Sequence, residues 1–172
     1  MKNKIIAELA QGFEGDLMKA KLLVKAAASS GADIAKLQLV YADELATPDY
    51  LHYELFKGLE MPDSSWQELF DYSEELNIEL NFDIFGTKSL RLCQDLGISG
   101  IKLHGTDITN IGLLKEVSQG SINNIYLGAG GSNLDEIELA ISILKSKNVI
   151  LLLGFQSYPT PNNDNQISRV TY

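Results

Sequence analysis

The sequence predicts an α/β fold of repeated strand–helix units, with a parallel sheet closed as a TIM-type (β/α) barrel. Four observations carry this expectation. Apolar runs of strand character recur at residues 4–9, 34–40, 78–85, 100–104, 124–128 and 149–153. Between them the apolar spacing changes to the three-and-four repeat of a helix, so strands alternate with helices and need crossover connections. Periodicity alone leaves an open doubly wound sheet and a closed barrel both standing. The loop after the first strand, Gln11-Gly12-Phe13-Glu14-Gly15-Asp16, then lacks the G-x-G-x-x-G spacing that would support the open dinucleotide-binding form. Each strand also ends in polar or glycine-rich sequence, where a barrel gathers its functional groups. Six such units are present, against the eight of a complete barrel.

Each element follows in order. After the first strand, Asp16 is placed to cap a helix whose face carries Leu17, Ala20, Val24, Ala27 and Ala28, and Gly31 ends it. The strand at 34–40 is followed by a helix starting near Met61-Pro62-Asp63-Ser64. There Ser65 and Glu68 have capping-box spacing, and Trp66, Leu69 and Phe70 are the buried residues. The strand at 78–85 leads to a helical pattern through Leu92, Cys93 and Leu96. Two further strands precede a helix beginning at Asn133, three residues before Glu136, with Ile137, Ala140, Ile141 and Leu144 inward. No low-complexity segment or linker interrupts residues 1–172, which read as a single domain.

With 45% hydrophobic residues in 172, the chain can build a real core. No run approaches the roughly 18 apolar residues of a membrane span, and the Lys-led start has no signal-peptide pattern, so the expected location is the cytoplasm. A formal net charge of −9 opposes nucleic-acid binding, which draws on Lys and Arg to displace phosphate counterions. The single cysteine, Cys93, excludes an internal disulfide and a cysteine metal cluster and reads as packing. With only two histidines, a histidine metal site is not expected.

Lys36 and Lys102 stand out because each lies inside an apolar strand run, Ile34 to Val40 and Gly100 to His104. An unpaired buried charge costs several kcal/mol or more. Each lysine is therefore paired with an acid, directed into a wet cavity, or bound to an anion. Structural ion pairs with Glu8, Glu14 or Asp107 and a ligand site both satisfy that requirement. Glu14-Gly15-Asp16 reads equally as a functional loop or as a turn and helix cap. Gly128-Ala129-Gly130-Gly131 reads as a phosphate cradle at a helix N-terminus or as a tight strand-to-helix turn.

The chain resembles the sialic acid synthases. The resemblance is carried by Ile5-Ile6-Ala7-Glu8, Glu14-Gly15-Asp16, Gly31-Ala32-Asp33 leading to Lys36-Leu37-Gln38, and Thr47-Pro48. It continues through the run Trp66 to Tyr72, Lys102 with Asp107-Ile108-Thr109-Asn110, Leu134-Asp135-Glu136-Ile137, and Tyr158-Pro159-Thr160-Pro161. It implies a (β/α) barrel that condenses phosphoenolpyruvate with an N-acylated amino sugar and uses Mn²⁺ or Mg²⁺. By that resemblance Lys36 and Lys102 grip the carboxylate and phosphate of phosphoenolpyruvate, and Glu14 and Asp107 are the catalytic acids. Gln38, Asn110, Gly130, Ser132 and Tyr158 are the remaining substrate-binding positions. The family's small antifreeze-like C-terminal domain and two further strand–helix units have no counterpart in these residues. Exposed edge strands would then invite pairing with a second copy or with an intact synthase.

The departures fall at chemical positions. The family's Asn-His pair is Gly12-Phe13, its Ser-Thr-Pro-Phe is Phe82-Asp83-Ile84-Phe85, and the serine after strand four is Gly105. Its Ser-Thr-Gly-Met is the glycine run at 128–131, and a metal-binding His falls at Leu153, which has no donor atom; no residue here is therefore assigned as a metal ligand. Three functions are thus expected to compete: a phosphoenolpyruvate-condensing synthase, a catalytically degenerate homologue acting as a binding or assembly partner, and a Schiff-base aldolase or lyase using one of the lysines.

Overall fold

A computed structural model describes residues 3–155, 157 and 159–165. Its six strands are β1 (Ile6–Ala10), β2 (Ile34–Gln38), β3 (Glu79–Ile84), β4 (Gly100–Leu103), β5 (Asn124–Gly128) and β6 (Asn148–Leu152). They form one sheet in the order β1-β2-β3-β4-β5-β6, every neighbouring pair parallel. All six expected strands are present, with ends shifted by no more than two residues and β5 as expected. β2 stops at Gln38, although Leu39 N still donates to the Asp83 carbonyl at 3.0 Å.

The helices are α1 (Leu17–Ser29), α2 (Ala42–Leu45), α3 (Tyr53–Leu59), α4 (Asp63–Glu75), α5 (Thr87–Asp95), α6 (Ile111–Gln119) and α7 (Leu134–Ile143). Asp16 caps α1 as expected, accepting from Met18 N at 2.7 Å and Lys19 N at 3.0 Å, and Gly31 follows it at φ +82, a conformation that costs glycine little. At α7 the reciprocal capping box of Asn133 and Glu136 is formed. The box expected at Ser65 and Glu68 is not. Pro62 supplies the extended residue before α4, so the helix begins at Asp63 and Glu68 is left to pair with Lys21. Ile141, expected inside, is exposed on the outer face of α7, while Ala140 and Leu144 are buried.

The core explains how the site is positioned. Alternate strand residues Leu37, Leu80, Phe82, Ile84, Ile101, Leu103, Ile125 and Leu127 pack with Val24, Trp66, Leu69, Leu90, Cys93, Leu114 and Leu144 in one cluster. Trp66 is held edge-on by Phe13 and Phe82, each with ring centroids 5.3 Å away. Because successive side chains alternate across a strand, the intervening residues Glu8, Lys36, Asn81, Asp83, Lys102 and Tyr126 face the opposite side. One sheet face is therefore apolar and covered by helices, and the other carries the polar residues together with Ile6, Ile34 and Ile150. No helix among the described residues is long and apolar enough to cross a membrane.

Candidate functional site

The polar sheet face converges on Asp83. Strand register puts Glu8 beside Lys36, and Asp83 between Gln38 and Lys102. Lys36 Nζ lies 2.5 Å from Asp83 Oδ1 and 2.5 Å from Glu8 Oε2, while Lys102 Nζ lies 2.8 Å from Asp83 Oδ2. The Asp83 carboxylate thus spans two ammonium groups, one to each oxygen. His104 Nε2 sits 3.1 Å from the same Oδ2 without a directed hydrogen bond, its ring stacked on Phe85 with centroids 5.0 Å apart. Lys36 is 4% exposed and the Asp83 side chain 1%, whereas the Glu8 side chain is 52% exposed.

Burial alone would push the Asp83 carboxyl up. The neighbouring His104 and the charges of Lys36 and Lys102 outweigh it and hold the group down at about 2, so it is ionised at neutral pH. Asn81, directly opposite Lys36 in the register, is fully buried; its amide helps hold Glu79 down but makes no hydrogen bond of ordinary geometry.

The residues named from the sequence are distributed unevenly around this centre. Lys36 and Lys102 are brought together. Gln38 lies beside Asp83 in the ladder and accepts a 2.7 Å hydrogen bond from Gln11 Nε2. Asp107 ends a 3₁₀ turn after β4, where burial raises its carboxyl against the opposing pull of Asn110 and His104. Asn110 itself caps α6, accepting from Leu113 N at 3.2 Å. Glu14 lies outside the cluster, exposed and paired with Lys19 at 2.5 Å. Glu14-Gly15-Asp16 forms the loop and cap that lead into α1.

At the end of β5 the tight-turn reading is the one with a physical cause. Ser132 N donates to the Ala129 carbonyl at 3.3 Å, and a Cβ at Gly128 would stand 2.8 Å from Gly105 N, so close strand packing demands glycine there. Gly130 and Ser132 lie in this turn, before the capped start of α7. Tyr158 lies outside the described residues.

Asp83 is the central residue that sequence reading passed over. In the sequence it stands only as a departure from the family's Ser-Thr-Pro-Phe, yet the criterion that selects the lysines applies to it equally. An acid inside Leu80-Asn81-Phe82-Asp83-Ile84-Phe85 is as costly to bury alone as an ammonium group. Of the acids considered as partners for the lysines, Glu8 fills that role, and Glu14 and Asp107 do not. Each lysine faces a carboxylate.

The resemblance implies a divalent metal. Leu153 offers no donor, both Asp83 oxygens face ammonium groups, and among the described residues no three His, Cys, Asp or Glu side chains are grouped to hold an ion.

Comparison with known proteins agrees with this architecture. The family model described as the NeuB family matches residues 23–172. The N,N'-diacetyllegionaminic acid synthase of Campylobacter jejuni is 31% identical over 95% of this chain and 54% of its own length. The pseudaminic acid synthase of Helicobacter pylori is 27% identical over 94% of this chain and 52% of its own. The crystal structure of N-acetylneuraminic acid synthetase from Leptospira borgpetersenii, in complex with citrate, superimposes with a TM-score of 0.92 at 28% identity. It is matched over 98% of this chain and 60% of its own. The chain spans about half the length of the curated relatives it matches. By the family match and the six parallel strands that carry its polar face, this chain belongs to the NeuB family.

Proposed function

We propose that the chain is the core of a (β/α) barrel serving sialic-acid-type biosynthesis, in which phosphoenolpyruvate is condensed with an N-acylated amino sugar. The observation that carries this reading is the convergence of Lys36 and Lys102 on the two oxygens of one carboxylate. Two ammonium groups placed to hold a carboxylate in the ground state are placed to hold the carboxylate or phosphate of an enol phosphate. In the condensation, C3 of phosphoenolpyruvate forms a bond to the sugar carbonyl carbon, and the carbonyl oxygen takes a proton. Water then adds at C2, and loss of phosphate leaves the keto acid. We assign that proton to Asp107, on the turn after β4, whose carboxyl burial raises from its ordinary value. Family membership supports the reaction class.

A second reading is favoured by a specific observation. Asp83 already supplies the negative charge between the lysines, and Leu153 stands where the resemblance places a metal ligand. A homologue without catalysis, acting as a binding or assembly partner, would have this appearance. Phosphate release from phosphoenolpyruvate and N-acetylmannosamine with Mn²⁺, measured on this chain and on any longer product of its gene, separates the two. Release abolished by Lys102→Ala supports the synthase; folded protein with no release from either form refutes it.

A further inference from the structure

We infer that Asp83 is a built-in counter-anion of the Lys36–Lys102 site: it holds the place an anionic ligand would take, so that a phosphate or carboxylate binds only in competition with it. The inference rests on the reading of the two lysines as the anion site and states what limits that site.

Four facts lead to it. First, both Asp83 oxygens are committed, to Lys36 at 2.5 Å and to Lys102 at 2.8 Å, as a bound carboxylate's would be. Second, the charges already balance. Glu8 and Asp83 offset Lys36 and Lys102, so an incoming dianion enters a neutral cluster and meets a carboxylate at contact distance. Third, Asp83 cannot readily leave. Its backbone is fixed in the middle of the sheet by Gln38 on one side and Lys102 on the other, and its side chain has a single methylene and is 1% exposed. Fourth, Asn81, the register partner of Lys36 on the same face, is fully buried with neither amide atom in a hydrogen bond of ordinary geometry. Removing the Asp83 charge, with no contact added, should therefore unmask the site.

The test is isothermal titration of inorganic phosphate and of phosphoenolpyruvate into the intact chain and into Asp83→Asn at neutral pH. Asparagine keeps the shape and removes the charge. At least tenfold tighter binding by Asp83→Asn, lost again when Lys102→Met is added, is the expected result. Equal or tighter binding by the unmodified chain overturns the inference while leaving the lysine site standing. Folded protein that binds neither anion in either form overturns both. Should Asp83→Asn not fold in plain buffer, phosphate should restore its near-ultraviolet circular dichroism by occupying the vacated position, through ordinary linkage of binding to folding. Failure of millimolar phosphate to restore it overturns the inference as well.

Discussion

Lys36→Met is the perturbation whose outcome the structure specifies most fully. Methionine keeps the unbranched aliphatic stem and removes the ammonium group that lies 2.5 Å from both Glu8 and Asp83. The two acids then fare differently. The Glu8 side chain is 52% exposed and can be rehydrated; that of Asp83 is 1% exposed and cannot, so it keeps Lys102 alone. Breaking a buried ion pair from one side costs about 3–5 kcal/mol. Because Lys102 remains at 2.8 Å, the lower end, about 3 kcal/mol, is expected. With a urea slope of about 2 kcal/mol per molar, the unfolding midpoint at pH 7 should fall by roughly 1.5 M with the slope unchanged.

The acid limb supplies an independent reading of the same pair. Asp83 is held at about 2 in the folded chain against an ordinary 3.8. A carboxyl lowered on folding contributes stability that is complete above about pH 4 and is lost as pH falls from there towards 2. The contribution is worth roughly 2 kcal/mol. In Lys36→Met the Asp83 carboxyl is held down less, so the loss over that span should be smaller. A variant that loses under about 1 kcal/mol, with an acid limb superimposed on the unmodified protein's, would refute the assignment of Lys36 as the counter-charge of Asp83. Adding Asp83→Leu and Lys102→Met to Lys36→Met should recover much of the loss, since the buried carboxylate and both its ammonium partners are then gone and the exposed Glu8 can be rehydrated.

Trp66→Ala should cost about 3–5 kcal/mol in urea unfolding, because the indole is fully buried between Phe13 and Phe82; Trp66→Phe should cost far less, since the indole N–H has no hydrogen-bond partner to lose. Asn133→Ala removes one arm of the capping box on α7 and should lower stability by about 1 kcal/mol, readable as a drop in thermal midpoint. Cys93 is fully buried and its thiol is pushed well above the ordinary range by that burial, so it should resist a thiol reagent such as dithionitrobenzoate in native protein at pH 8 and react at once in urea. Rapid native labelling would mean that α5 opens readily.

Local chemistry made much of this protein legible in its sequence. Strand and helix periods depend on neighbours a few residues apart, and so do the Asp16 and Asn133 caps, which is why the six strands and the ends of α1 and α7 could be placed. The solitary lysines in apolar runs likewise announced a polar centre on the sheet, because a buried charge must have a partner. Which partner was not a local matter. Asp83 is 47 residues from Lys36 and 19 from Lys102, and it meets both only because the register of β2, β3 and β4 brings their alternate residues onto one face. Glu14, nearer to Lys36 in the chain, was instead turned outwards to Lys19 by the loop that leads into α1. The sequence by itself thus determined the elements and the presence of buried charge. Only the tertiary structure decided how that charge is neutralised, since strand register sets which side chains share a face and chain separation does not.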